Sequence, residues 1–118
     1  MARFVDAIAI TALSTAKDLR RIALSLEGTT EAPHFDRTAF RVRRIYVTLA
    51  PGGKTANFMF TPEQQEFKCM IAPEVFAPIP NAWGRRGATT GILAKLSNAE
   101  LEDALRTAWT GAATKTRR

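Results

Sequence analysis

Apolar positions recur along this chain in three stripes at helical spacing and in several alternating runs. Leu19, Ile22, Ala23 and Leu26 fall on one face and predict a helix from about Thr15 to Leu26. Thr15 and Asp18, three apart, suit a capping box at its start, and Gly28 ends it. Glu27 to Asp36 reads as a loop with Pro33-His34-Phe35 inside it. Ala39 to Val42 then alternates, with Phe40 and Val42 on one face and Arg41 on the other. Ile45 to Leu49 does the same, placing Ile45, Val47 and Leu49 opposite Tyr46 and Thr48. Arg43-Arg44 between them reads as a tight hairpin turn, or as part of a longer loop, since tight turns favour Gly or Asn. Pro51-Gly52-Gly53 is a clearer turn, and Thr55 to Phe60 is the third strand.

A second helix starts at Thr61, with Pro62 in its first turn and Gln64 completing a capping box. Phe67, Met70 and Ile71 are expected to face inward. Pro73, Pro78 and Pro80 predict an irregular crossing segment. Trp83-Gly84-Arg85-Arg86-Gly87 reads as an ordered loop presenting positive charge. Thr89 to Leu96 is the last strand, and Ser97 with Glu100 caps the final helix. Leu96 and Leu101 suit a hydrophobic staple there, and Leu101, Ala104, Leu105, Ala108 and Trp109 form the buried stripe. The order of helix, three strands, helix, strand and helix predicts a two-layer α+β domain, its helices on one face of an antiparallel sheet.

At 118 residues the chain suits one domain with a real core. Residues 1–14 are an apolar extension, either separate or lengthening the first helix; 15–110 form the domain; 111–118 form a flexible basic tail. The leading segment is too short for a membrane span. Of the +6 formal charge, Lys115, Arg117 and Arg118 supply three, leaving about +3 on the body, which permits an anionic partner without requiring one. One cysteine, Cys69, allows no internal disulfide and fits a cytoplasmic location.

Candidate chemistry is sparse. His34 is the only histidine, and each of Ser14, Ser25 and Ser97 sits at a helix end, so no nucleophile–base pair stands out. One His and one Cys do not make a zinc site, and Gly52-Gly53-Lys54 is a turn rather than a phosphate cradle. The expectation is a non-enzymatic domain with no cofactor and no metal. The basic residues offer more. Arg41, Arg43 and Arg44 cluster on one hairpin, with Arg37 just upstream and Lys54 in the next turn, and Arg85 and Arg86 occupy a second loop. Two basic loops suit a phosphate backbone, with Tyr46 or Trp83 available for stacking. Charged hairpins also guard sheet edges against other chains, and the sequence leaves both readings open. A small-ligand or partner pocket near His34, Phe35 and Trp83 is the alternative function.

Several stretches, in order, resemble the MmcQ/YjbR-like proteins. They are Leu19-Arg20-Arg21-Ile22-Ala23-Leu24-Ser25-Leu26, Glu31-x-Pro33-His34-Phe35, Ala39-Phe40-Arg41-Val42, Tyr46-Val47-Thr48-Leu49, Pro62-Glu63-Gln64-Gln65, Trp83-Gly84-Arg85-x-Gly87 and Ala108-Trp109. These are small bacterial domains commonly labelled as predicted DNA-binding. The resemblance implies a fold similar to the bacterial frataxin-like, or double-wing, fold. It also implies contact with DNA, double-stranded by expectation, through two wings: the Arg43-Arg44 hairpin and the Trp83–Gly87 loop. Iron handling of the frataxin type uses an acidic first helix; Lys17, Arg20 and Arg21 disfavour it here. The chain departs from the family pattern at Arg43-Arg44, where Gly-Lys is usual, at Glu27, where Pro is usual, and at Ala88, where Trp is frequent.

Overall fold

The computed structural model describes residues 13–114; the expectations for the N-terminal extension up to residue 12 and for the tail from 115 lie outside the described residues. Helix α1 (Ala16–Ser25) leads into strands β1 (Thr30–His34), β2 (Arg37–Arg41), β3 (Ile45–Leu49) and β4 (Thr55–Met59). Helix α2 (Pro62–Ile71), strand β5 (Phe76–Pro78), the short helix α3 (Ala82–Arg85) and strand β6 (Ala88–Ile92) follow, and a 3-10 turn over Leu93–Lys95 introduces helix α4 (Asn98–Ala113). The α+β reading holds. The strands form one antiparallel sheet in the order β1-β2-β3-β4-β6-β5.

Three helix starts lie where the sequence puts them. Thr15, Thr61 and Ser97 each accept from the backbone N–H three residues on, and Asp18, Gln64 and Glu100 reach back to the cap. Each box satisfies two N–H groups that a helix start would leave unpaired. Donation from the Thr15 backbone holds the Asp18 carboxyl below its ordinary value of 3.8, with lesser help from the Thr15 hydroxyl and Arg21 against burial.

The core lies between the sheet and helices α1, α2 and α4. Phe40, Val47, Ala56, Phe58, Phe60 and Phe76 meet Leu19, Ile22, Leu101, Ala104, Leu105 and Ala108 there, all buried. Phe58 stacks on Phe60 at 5.5 Å, and Phe76 meets both edge-on. Gly91 leaves room for this aromatic group, since a Cβ there would stand 2.9 Å from the Phe58 ring. Trp109 is half-buried and donates its indole N–H to the Glu27 carbonyl at 3.0 Å.

Six expectations about the elements need correction. Residues 27–36 are not a loop throughout: Thr30–His34 is an edge strand paired with β2. Every residue of β1 is exposed, so no alternation betrays it, and Pro33 is tolerated because an edge strand has a side that pairs with nothing. The proline-rich crossing segment likewise contains the opposite edge strand, β5, ending at Pro78, and the charged loop is helix α3. The last strand stops at Ile92, and the 3-10 turn takes the residues up to Lys95.

The fifth correction is a bulge. Phe40 pairs with Val47 but Arg41 pairs with Ile45, so Tyr46 is an extra residue on β3. A bulge turns two successive side chains toward one side. Tyr46 and Val47 are thus both fully buried, and Ile45 moves with Arg41 to the open face of the sheet. The bulge also explains the absence of glycine in the β2–β3 connection. That connection is the three residues Val42, Arg43 and Arg44, none of which has positive φ.

The sixth concerns α2. Phe67, Met70 and Ile71 are exposed, and Lys68 is its buried residue. The Lys68 ammonium pairs with Asp103 on α4 and lies 6.0 Å and 5.9 Å from the Phe60 and Phe76 ring centroids. An aliphatic stem between aromatic rings with its charge at the rim lets lysine fill an apolar position.

Candidate functional site

Because the three long helices cover one face of the sheet, the described residues leave the other face open. A groove of about 760 Å³ runs across it. The β1–β2 hairpin forms one wall, with His34, Phe35 and Asp36; Ile79, Asn81 and Trp83 form the other. Arg37, Arg41, Ile45, Thr48, Asn57 and Met59 line the floor, with Arg44 at one end. Strand register explains the floor: Ala39, Thr48, Asn57 and Thr90 stand side by side on this face. Arg37 and Arg41 share it by the two-residue period of β2.

Among the described residues, the arginines of the groove have no acidic partner. Arg37 donates to the Thr48 hydroxyl at 2.8 Å and to the Thr48 carbonyl at 3.3 Å. Arg44 donates to the Gly111 carbonyl at 2.7 Å, near the end of α4. Arg41 reaches only the Arg43 carbonyl, at 3.5 Å. The ion pairs among the described residues lie elsewhere, and Asp36 is the one carboxylate among the groove's lining residues. A guanidinium has five N–H donors, so each arginine keeps several for a ligand.

The Trp83 segment is fixed by its glycines. A Cβ at Gly84 would stand 1.6 Å from the Ile79 carbonyl oxygen, and one at Gly87 2.0 Å from that of Phe60. Asn81 caps α3 by accepting from the Trp83 and Gly84 N–H groups, and the Gln65 side-chain amide donates to the Gly84 and Ala88 carbonyls. Trp83 is thereby held with 61% of its surface exposed and the Arg86 guanidinium 5.4 Å from its ring centroid. Trp83, Arg86 and Arg44 also line a second cleft of about 370 Å³ that shares Ile45, Met59 and Ala88 with the groove.

The structure gathers the expected residues selectively. His34, Phe35 and Trp83 do line one groove, together with Arg41 and Arg44. Arg86 joins through the second cleft. Arg43 and Arg85 are exposed but line neither. Lys54 follows the turn after β3, so the length of a strand, about 17 Å, separates it from Arg44. Tyr46 is buried and unavailable for stacking. The sequence sets Arg37 just upstream of the basic hairpin without marking it as a contact residue and does not mark Asn57; β2 begins at Arg37 rather than Ala39, which puts Arg37 in phase with Arg41. Cys69 is half-buried, and that burial raises its thiol above the ordinary value of 9.0. Among the described residues, no group of three or more His, Cys, Asp or Glu side chains is placed to hold a metal ion, and no helix is long and apolar enough to cross a membrane.

Comparison with known proteins agrees with this architecture. The model of the YjbR family matches residues 24–110. The crystal structure of Deinococcus radiodurans protein DR2400, described as a DUF419 domain, superposes with a TM-score of 0.74 at 20% identity, covering 90% of this chain and 83% of that one. No curated protein sequence matches the chain.

Proposed function

The chain belongs to the YjbR family, and from that premise we propose that it is a non-enzymatic domain that binds DNA through its open sheet face. The observation that carries this reading is the groove itself: Arg37, Arg41 and Arg44 lie in it without an acidic partner, beside the exposed aromatics Phe35 and Trp83. Arg41, Arg44 and Arg86 contact phosphates, and Arg43 and Arg85 add to the field from nearby. Phosphate contacts position a protein but read no bases, so sequence specificity is low. A cytoplasmic location fits this role and the single cysteine.

Fluorescence anisotropy with labelled DNA of mixed sequence, single-stranded and duplex, at two salt concentrations tests the reading. Three phosphate contacts give a slope of log affinity against log salt of about −2.7 on a duplex and about −2.1 on a single strand. Binding with a slope of that order supports it; no binding of either form at low salt overturns it. The second reading, a small-ligand site, is favoured by the meeting of His34, Phe35 and Trp83 around one groove. Its volume lies within the roughly 300–1,000 Å³ of small-molecule sites. Thermal stabilisation by a small aromatic anion, in a protein that ignores DNA, would select it.

A further inference from the structure

Phe35 occupies the least comfortable position in the described chain. It is the only non-glycine residue there with positive φ, at 60°. The His34–Arg37 pair closes a two-residue loop of Phe35 and Asp36, and positive φ is confined to the first of them. That is the pattern of a type II′ turn, whose first central position favours glycine. The ring gains little from the fold in return, since Phe35 is 94% exposed. Its one aromatic neighbour is His34, edge-on at 4.8 Å and 69°, which orients the ring without covering it. Backbone strain that stability does not need is a mark of functional positions.

Opposite Phe35, on the other wall of the groove, stands Trp83, held by its backbone and largely exposed, with the Arg86 guanidinium near its ring. Arg37 stands beside the Phe35 turn, and Arg41 and Arg44 line the same groove from the far end of β2 and the start of β3. Two exposed aromatic rings with cations lining the same groove make a platform for a strand whose bases are free to stack. A duplex keeps its bases paired and presents phosphates to such a wall, leaving the rings without a partner. This inference rests on the DNA reading above and adds the form of strand. We propose that the groove takes a single strand, unpaired bases stacking on Phe35 and Trp83 and the intervening phosphates lying on Arg41 and Arg44.

The test uses the full chain, a labelled oligothymidylate and a duplex of equal length, at low salt. The single strand is expected to bind at least about tenfold more tightly. Phe35→Gly and Trp83→Ala each lower single-strand affinity by about tenfold and leave duplex affinity unchanged. Phe35→Gly melts at the same temperature as the parent or higher, because glycine suits the positive φ, so its lost affinity is not lost folding. Phe35→Trp keeps the affinity. Equal binding of both forms, or a stable Phe35→Gly protein with undiminished single-strand affinity, overturns the strand selection and leaves DNA binding standing. Tighter duplex binding that depends on Phe35 also overturns it, because the ring then acts as a wedge between base pairs. No binding of either form removes the DNA reading itself.

Discussion

The Tyr46 hydroxyl donates to the backbone carbonyl of Ala23 at 3.3 Å, tying the bulge of β3 to helix α1. A second contact, 2.9 Å to the Thr29 hydroxyl, completes its partners. Burial raises the phenol above its ordinary value of 10.0, and the Thr29 contact opposes that only in part. The unfolded chain therefore loses the proton first. The stabilisation is complete below about pH 10 and is lost as pH rises through the raised folded value. Tyr46 is the chain's only tyrosine, so its ultraviolet titration is unambiguous. Tyr46→Phe is expected to cost about 1 kcal/mol at neutral pH. Denaturant unfolding of the two proteins should converge above pH 10 as the parent loses its advantage.

Gly84 and Gly111 should respond with opposite sign to the same substitution. A Cβ at Gly84 collides with the Ile79 carbonyl, and backbone has nowhere to retreat. Gly84→Ala is expected to destabilise by roughly 2–4 kcal/mol and to displace Trp83 from the groove wall. At Gly111, on the exposed side of α4, a Cβ meets nothing within 4 Å. Gly111→Ala is expected to stabilise by up to about 1 kcal/mol, since glycine in a helix is flexible in the unfolded chain. Thermal melts of the two variants check both.

The contrast between caps and edges explains what the sequence discloses. Thr15, Thr61 and Ser97 announce their helices because a capping box is local, made within four residues. Leu101 to Ala108 announce the buried side of α4 because a helix keeps its period. Strand β1 and Tyr46 are governed from outside their own segments. Thr30–His34 is a strand because β2 offers it a partner, and Tyr46 turns inward because β2 is one residue shorter than β3 across the pair. The same dependence scatters the site. Arg41 and Arg44 flank the bulge and reach the groove, while Lys54, drawn toward them by sequence order, is carried off by the direction of β3.

Lys68 and Asp103 form an asymmetric pair: the lysine side chain is nearly covered, the aspartate largely in water. Removing Asp103 leaves a nearly covered ammonium beside Phe60 and Phe76 without its partner, whereas removing Lys68 leaves a carboxylate that water solvates. Asp103→Ala is therefore expected to destabilise by about 1–2 kcal/mol. Lys68→Met, which fills the same space without charge, is expected to be neutral or stabilising. Denaturant unfolding of both single variants and the double variant measures this; a double variant no less stable than Lys68→Met alone would place the cost of losing Asp103 on the stranded charge.

Charge reversal separates the groove from the rest of the basic surface. Arg41 and Arg44 line it, and Lys54 lies about a strand's length away from Arg44. Arg41→Glu with Arg44→Gln is expected to lower DNA affinity by at least about tenfold. The salt slope should shrink by about 1.8, since each lost duplex phosphate contact removes roughly 0.9. Lys54→Glu should leave both affinity and slope nearly as they were. If uniform charge alone attracted DNA, the three substitutions would act in proportion to charge removed, and Lys54→Glu would weaken binding as much as Arg41→Glu. Anisotropy titrations across a salt series, with a thermal melt of each variant to exclude the lost Arg44–Gly111 contact as the cause, distinguish a located site from a diffuse field.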